Sequence, residues 1–422
     1  MSTPHPCMKT ELSLFDGPMA QVTMEKASWR DIHPIASLDG NGPVEFHVIS
    51  SQDYLDLNDS ILYVQICVEK ADGTKLDAAG TNKAYLSNLT LASLFSDVSL
   101  TLNGTLVEGG SHLYPFKSMM MCLLQFDDNV KSTQLQAAGY TEDSEEERAN
   151  LIAGSKTVEF MGPLYLDMFS QSKYLLSGVD VRLKLNRSKN DFVIIGGTGT
   201  STKGQYRVVF KQAILYVRKV KVDPSVIMGH DLGLQSNNAI YPIQKSELMT
   251  YTVMQGSKSH LQDNLFRGVL PKLVVVGLVG NSSFSGDTIK DPLTFGHFDV
   301  NTIALYRDGE CVPYAQPLQL DFANGNVVQG YMHMIQSLEM FNSTHSNGIT
   351  LSEFQNGKTL FVFNLTPDLN ALGACGQVYK TGHLRLELKF GKPLEEVINI
   401  VVFGIRDGVV EITRDRSIVN CT

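Results

Sequence analysis

Apolar and polar residues alternate along most of this chain in short runs, and the order of those runs is stated twice. VTMEKASWRDI, PVEFHVIS, ILYVQICVEK, DVSLTLNG, KTVEFMG and VDVRLKL fill the first half; ELMTYTVMQG, PKLVVVGLVG, VNTIALYRDG, TLFVFNL, LRLELKF and INIVVFGIR fill the second, and VVEITRDR closes it. Period-two alternation bounded by Gly, Asn and Asp predicts half-buried β-strands, and many short strands with few long helices predict antiparallel sandwiches or barrels.

Three landmarks recur in register. The strand VRLKL starts at Val181 and LRLEL at Leu384, so that 384 − 181 = 203; Lys156 and Lys358 open KT-led strands, with 358 − 156 = 202; the hairpin dipeptides Asn103-Gly104 and Asp308-Gly309 give 308 − 103 = 205. Asn-Gly and Asp-Gly tolerate the positive φ angles of a type I′ turn, which predicts a tight hairpin at the same point of each copy. A helix follows each hairpin. In the first copy Phe116, Met119, Met120, Leu123 and Leu124 form an apolar stripe after Pro115; in the second Val328, Tyr331, Ile335 and Leu338 form a narrower one. The Met119–Met121 run fits core filling better than a cofactor or partner groove.

The repeat divides 422 residues into a polar arm over 1–20, a first β-sandwich over 21–204 and a second over 205–422, each with one inserted helix. The second opens with a long run, Gln205 to Val222, whose phase changes near Arg218 and Lys219 as a bulge requires; DPSVIMGHDLGL after it reads as a crossing helix. The acidic cluster Glu142, Asp143, Glu145, Glu146 and Glu147 reads as a solvated loop tip, with an exposed recognition loop as the sharper reading.

Composition narrows the function. A net charge of −9 without a long basic run argues against a broad cationic nucleic-acid groove. Six cysteines at 7, 67, 122, 311, 375 and 421 show no zinc spacing and read as thiols of a reducing compartment. MSTPHPCMKTEL lacks the apolar core of a secretory signal, so the sequons, such as Asn58 and Asn88, are expected to stay unused. The apolar runs LVVVGLV and INIVVFGI are too short to span a membrane.

No catalytic, cofactor-binding or metal-ligating residues emerge. The Gly-rich segment after DFVIIGG places Gln205 and Tyr206 where a phosphate loop needs Lys and Ser or Thr, and a strand follows where a helix is needed. No nucleophile elbow or zinc-helix motif is present, and His333 lies within the second helix as a packed or exposed imidazole. Asp167 and Asp368 occupy nearly matching repeat positions, 368 − 167 = 201, which favours a turn or cap role over a carboxylate pair.

The ordered segments SLFDGPMAQVTMEKASWRDIHPIASLDGNGPVEFHV, LLSGVDVRLKLNRSKNDF, ILYVRKVKVDPSV, DNLFRGVLPKLVVVG, LFVFNLTPDLN and LRLELKFGKPLEEVINIVVFG resemble the major capsid proteins of Polinton (Maverick) elements and adintoviruses, over nearly the whole chain from about residue 11. The resemblance implies an all-β fold of two tandem eight-stranded antiparallel jelly rolls, similar in plan to adenovirus hexon. Periodicity alone leaves two immunoglobulin-like modules open. It further implies a homotrimer forming a pseudo-hexagonal capsomer of an icosahedral double-stranded DNA virus shell. The partners would be neighbouring capsomers, a single jelly-roll penton protein and minor or cement proteins, without sequence-specific nucleic-acid binding. The location would be the virion capsid, assembled in the host nucleus or cytoplasm and not secreted. The family's maturation protease favours small-residue sites, which Ile195–Gly199 fits only loosely; a plain loop is the simpler reading. A carbohydrate-binding tandem β-sandwich is the alternative; it would need a sheet lined with aromatics, and the chain has a single tryptophan, Trp29. A secreted adhesive module fits less well with unpaired cysteines.

Overall fold

The structure, a computed structural model, describes residues 21–419 apart from positions 50, 80, 82, 142–144, 197–201 and 374–375. The N-terminal arm, Cys7, Cys375, Cys421, Glu142, Asp143 and most of the Gly-rich loop lie outside the described residues. In the first half the main strands are β1 (Met24–Ile32), β2 (Val44–Val48), β3 (Tyr54–Lys70), β4 (Phe95–Leu102), β5 (Thr105–Glu108), β6 (Thr157–Pro163), β7 (Val181–Arg187) and β8 (Tyr206–Val222). In the second they are β9 (Ala239–Val253), β10 (Ser259–Gln262), β11 (Leu273–Gly280), β12 (Val300–Arg307), β13 (Glu310–Val312), β14 (Leu360–Asn364), β15 (Leu384–Phe390) and β16 (Ile398–Ile412).

Hydrogen bonding joins β1-β8-β3-β6 into one sheet and β2-β7-β4-β5 into a second; the other half repeats this as β9-β16-β11-β14 and β10-β15-β12-β13. Adding eight to each strand of the first half gives its counterpart in the second. The echoing strands VRLKL and LRLEL are β7 and β15, in the same place in their sheets. Both expected hairpins form. Asn103 and Gly104 turn β4 into β5 with φ of 44° and 83°, and Asp308 and Gly309 turn β12 into β13 with φ of 52° and 93°.

One boundary moves. The run Tyr206–Val222, expected to open the second half, pairs on one edge with β3 from Tyr206 to Val220 and on the other with β1 from Leu215 to Val222, so it belongs to a sheet of the first half. Alternation is the same whichever sheet a strand joins, and only long-range pairing decides between them. The expected bulge lies between Tyr216 and Arg218, and a second between Phe210 and Gln212. The connection to the second half is helical: α3 (Pro224–Gly233) starts at Asp223, whose carboxylate accepts from the Ser225 amide at 2.9 Å. Two helices of eight or more residues precede it among the described residues, α1 (Tyr114–Gln125) and α2 (Glu145–Ile152).

The helix after the second hairpin, α4 (Val328–Ser337), buries the expected stripe in part. Leu338 is buried and Tyr331 and Ile335 are half-buried against the core, whereas Val328 is exposed and Gly330, His333, Met334 and Ser337 are buried beside them. A Cβ on Gly330 would lie 2.9 Å from Leu320, so the helix makes its close approach at the glycine and its inward face is rotated accordingly. The acidic stretch is also more than a loop tip. Glu145–Ile152 forms α2, which buries Arg148, Ala149 and Ile152 beneath an exposed row of glutamates.

Candidate functional site

The two halves meet over a broad junction, and α1 is at its centre. Its stripe, Phe116, Met119, Met120, Leu123 and Leu124, is buried as expected, but so are Tyr114, Lys117, Ser118 and Cys122. A helix buried nearly all round is packed on two sides. One side meets its own barrel; the other meets the outer face of β9-β16-β11-β14. Phe116 stacks on Phe284 of the second half, with ring centroids 4.9 Å apart at 18°, and meets Phe192 edge-on at 6.0 Å. Met120 reaches Gly277 on β11, where a Cβ would lie 3.0 Å from its methyl group and 2.6 Å from Phe295. Glycine at 277 is what lets the helix approach the sheet.

Charged groups flank this apolar wedge. Lys117 Nζ donates to Glu108 Oε1 at 2.5 Å and to Asp167 Oδ1 at 2.7 Å, and its side chain is 7% exposed. Asp167 in turn accepts from the Ser246 amide at 2.9 Å and the Ser246 hydroxyl at 2.6 Å, across the junction on β9. Burial alone would depress Lys117, but Asp167 and Glu108 together hold it above the ordinary lysine value. One ammonium between two carboxylates leaves an excess negative charge in a buried site. Burial accordingly pushes Glu108 up to about 7, against the opposing pull of Lys117.

That shift has a sign. The unfolded carboxyl titrates near 4.5 and the folded one near 7, so the folded state binds more protons between these values. The contribution of Glu108 to stability therefore falls as pH rises through that window and is flat above it. Glu108→Gln, which does not titrate, is expected to flatten this part of the profile. Urea midpoints at pH 5 and pH 8 check it; an unchanged slope contradicts the assignment.

A second ionic contact closes the other side. Arg148 Nη1 lies 2.6 Å from Asp291 Oδ2 and donates to the Leu86 carbonyl at 2.9 Å, while Asp291 also accepts from the Asn88 amide at 3.0 Å. The Arg148 guanidinium sits 5.0 Å from the centroid of Tyr85, whose hydroxyl donates to Glu145 and is held well above the ordinary tyrosine value, by burial first and by Glu145 second. Lys131 donates to the Leu123 and Asn347 carbonyls, the latter in the second half. Tyr241 on β9 donates to the Tyr174 carbonyl and accepts from the Leu176 amide, both at 3.1 Å.

The arrangement holds surfaces together, and its charged groups are bonded to one another across the junction. A cleft of about 710 Å³ opens beside the junction, but Arg148 and Asp291 in its wall are spent on each other. Asp167 and Asp368 are not brought together: Asp167 is in the junction, and Asp368 is an exposed turn residue accepting from the Asn370 amide and the Gln377 side chain. His333 stacks on Tyr314 at 3.7 Å, and burial pushes it down to about 4, so the imidazole is neutral. Burial pushes the Cys122 thiol up to about 12. Among the described residues no group of three or more His, Cys, Asp or Glu side chains is placed to hold a metal ion, and no helix is long and apolar enough to cross a membrane. Sequence reasoning missed Lys117 and Ser246, which meet at Asp167, and separately Arg148, which pairs with Asp291 on the other side.

No family model matches the sequence. The chain is similar to the uncharacterized protein F54H12.2 of Caenorhabditis elegans, 23% identical over 368 residues, covering 83% of this chain and 86% of that protein. Among solved structures it superposes on a chain of the PBCV-1 virus capsid with a TM-score of 0.64 at 11% identity, covering 97% of this chain and 100% of that one. The fold is the double jelly roll. The mavirus major capsid protein shares this double jelly roll, with a TM-score of 0.57 at 11% identity over 100% of this chain and 95% of that one. The expected all-β tandem architecture thus stands, and the order of strands excludes a pair of immunoglobulin-like modules.

Proposed function

We propose that this chain is a structural major capsid protein that trimerises into a pseudo-hexagonal capsomer of an icosahedral shell, with its place in the virion capsid. The observation that carries the reading is the doubled eight-strand order within one chain, in a fold shared end to end with viral capsid proteins. Two similar barrels per chain, taken three times around an axis, present six similar wedges, so one gene product fills a hexagonal lattice position. The barrels are taken as 21–222 and 239–419, with α3 in the link between them. Neighbouring capsomers, a single jelly-roll penton protein and cement proteins are the partners of this reading. A lineage among Polinton elements and adintoviruses is supported by the ordered sequence segments and by a relative encoded in an animal. Electron microscopy of the expressed full chain tests the function. Closed shells or hexagonal sheets of capsomers are expected, and dispersed single chains that bind oligosaccharide would overturn the reading in favour of a carbohydrate-binding sandwich.

A further inference from the structure

The junction within the chain joins two different surfaces, and each has an uncovered counterpart. The receiving surface is the outer face of β9-β16-β11-β14. Val275, Val362, Val401 and Phe403 on that face are buried, because the first barrel covers it with α1 and with the connection between β6 and β7. That connection contributes Asp167 to Ser246, and Tyr174 and Leu176 to Tyr241.

Among the described residues, the same outer face of the first barrel, on β1-β8-β3-β6, is left open. Register places Tyr63 beside Met161, and Ile61 beside Tyr216, which faces Asp31 on β1. Trp29, two residues along β1 on the same side, is 48% exposed, and Met161 is also exposed. Where β11 and β14 are buried on both sides, β3 and β6 alternate between buried and accessible positions. The counterpart of the covering connection is the segment between β14 and β15. Within it Leu369 is 49%, Val378 84% and Tyr379 54% exposed.

We propose that Leu369, Val378 and Tyr379 of one copy dock on the outer sheet face of the first barrel of a second copy, across β1 and Trp29, repeating between chains the contact made within the chain. The occupant is a second copy because the chain already contains this contact once, between barrels of the same strand order. Such a contact is head to tail, so every chain carries one of each surface, and three copies close into a ring when each contact turns the next copy by a third of a turn. The inference rests on the capsomer reading and names the faces that build it.

The test uses the full chain and two variants. Val378→Asp with Tyr379→Asp disables the covering surface, and Trp29→Asp disables the receiving one. These side chains are exposed in the single chain, so circular dichroism and thermal melting should match wild type. Each variant alone is expected to sediment as a monomer. Mixed, they are expected to form a dimer of one copy of each and no larger ring, since one intact contact remains between an unaltered Trp29 face and an unaltered Tyr379 face. Variants that stay trimeric, or a mixture that stays monomeric over a concentration series, overturn the docking faces while a trimeric wild type leaves the capsomer reading intact. A wild-type chain that is monomeric throughout overturns both, as does an oligosaccharide that binds a monomer at Trp29.

Discussion

Replacing Lys117 by methionine is expected to cost about 3–5 kcal/mol of stability at pH 8, the range for removing one partner from a buried ionic contact. The substitution keeps most of the apolar stem, so packing changes little. What changes is electrostatic: Glu108 and Asp167 are left facing each other in a site where Lys117 was their shared cation. Asp167 also holds Ser246, so the loss reaches the second barrel through that pair of hydrogen bonds. The cost has a pH dependence opposite to ordinary acid denaturation. Glu108 already takes up a proton near pH 7, and without Lys117 it does so more readily, so at pH 5 the carboxyl is neutral and the loss shrinks. Denaturant midpoints of wild type and variant at both pH values measure this. A loss below about 1 kcal/mol at pH 8 would place the cluster with solvent-exposed pairs and contradict its role in the junction.

Phe116→Ala is expected to have a comparable effect, about 3–5 kcal/mol, through a cavity and not a charge. Phe116 is buried between Phe192 of its own barrel and Phe284 of the other, so truncation removes contacts on both sides. Because the buried side chains of the two halves form one continuous cluster, the loss should lower the midpoint of the whole chain. The pair with Phe284 is testable separately. A double-mutant cycle on Phe116 and Phe284 should return a coupling of about 0.5–1.5 kcal/mol, the worth of a stacked aromatic pair beyond its buried area. Additive single effects would show that the two rings act independently.

The parts of this structure that were legible in the sequence are those set by local geometry. The hairpins at Asn103-Gly104 and Asp308-Gly309 were readable because few residues accept positive φ at both turn positions. The α1 stripe was readable because its spacing matches a helix, and the repeat supplied the order of elements. Ownership of β8 was not readable, since the alternation from Tyr206 to Val222 suits any half-buried strand and its partners lie more than a hundred residues upstream. The ionic set Glu108, Lys117, Asp167 and Ser246 was hidden for the same reason: its members come from four separate segments, and a lysine inside a helix normally faces water.

One signal for the junction was present. LVVVGLV carries no polar side chain, while ILYVQICVEK is broken by Gln65 and ends on Glu69 and Lys70. A strand buried on one face alternates and a strand buried on both does not. The contrast marks the second barrel as the one whose sheet is covered on its outer side, and the first as the one left open. In the structure β11 is buried throughout its length, and β3 is not.

The central claim is that the duplicated barrel lets three chains imitate six, and the native mass of the purified full-length chain tests it most directly. Light scattering coupled to size exclusion is expected to give three times the 46.5 kDa of one chain, stable on dilution. A single-chain mass at every accessible concentration would contradict it.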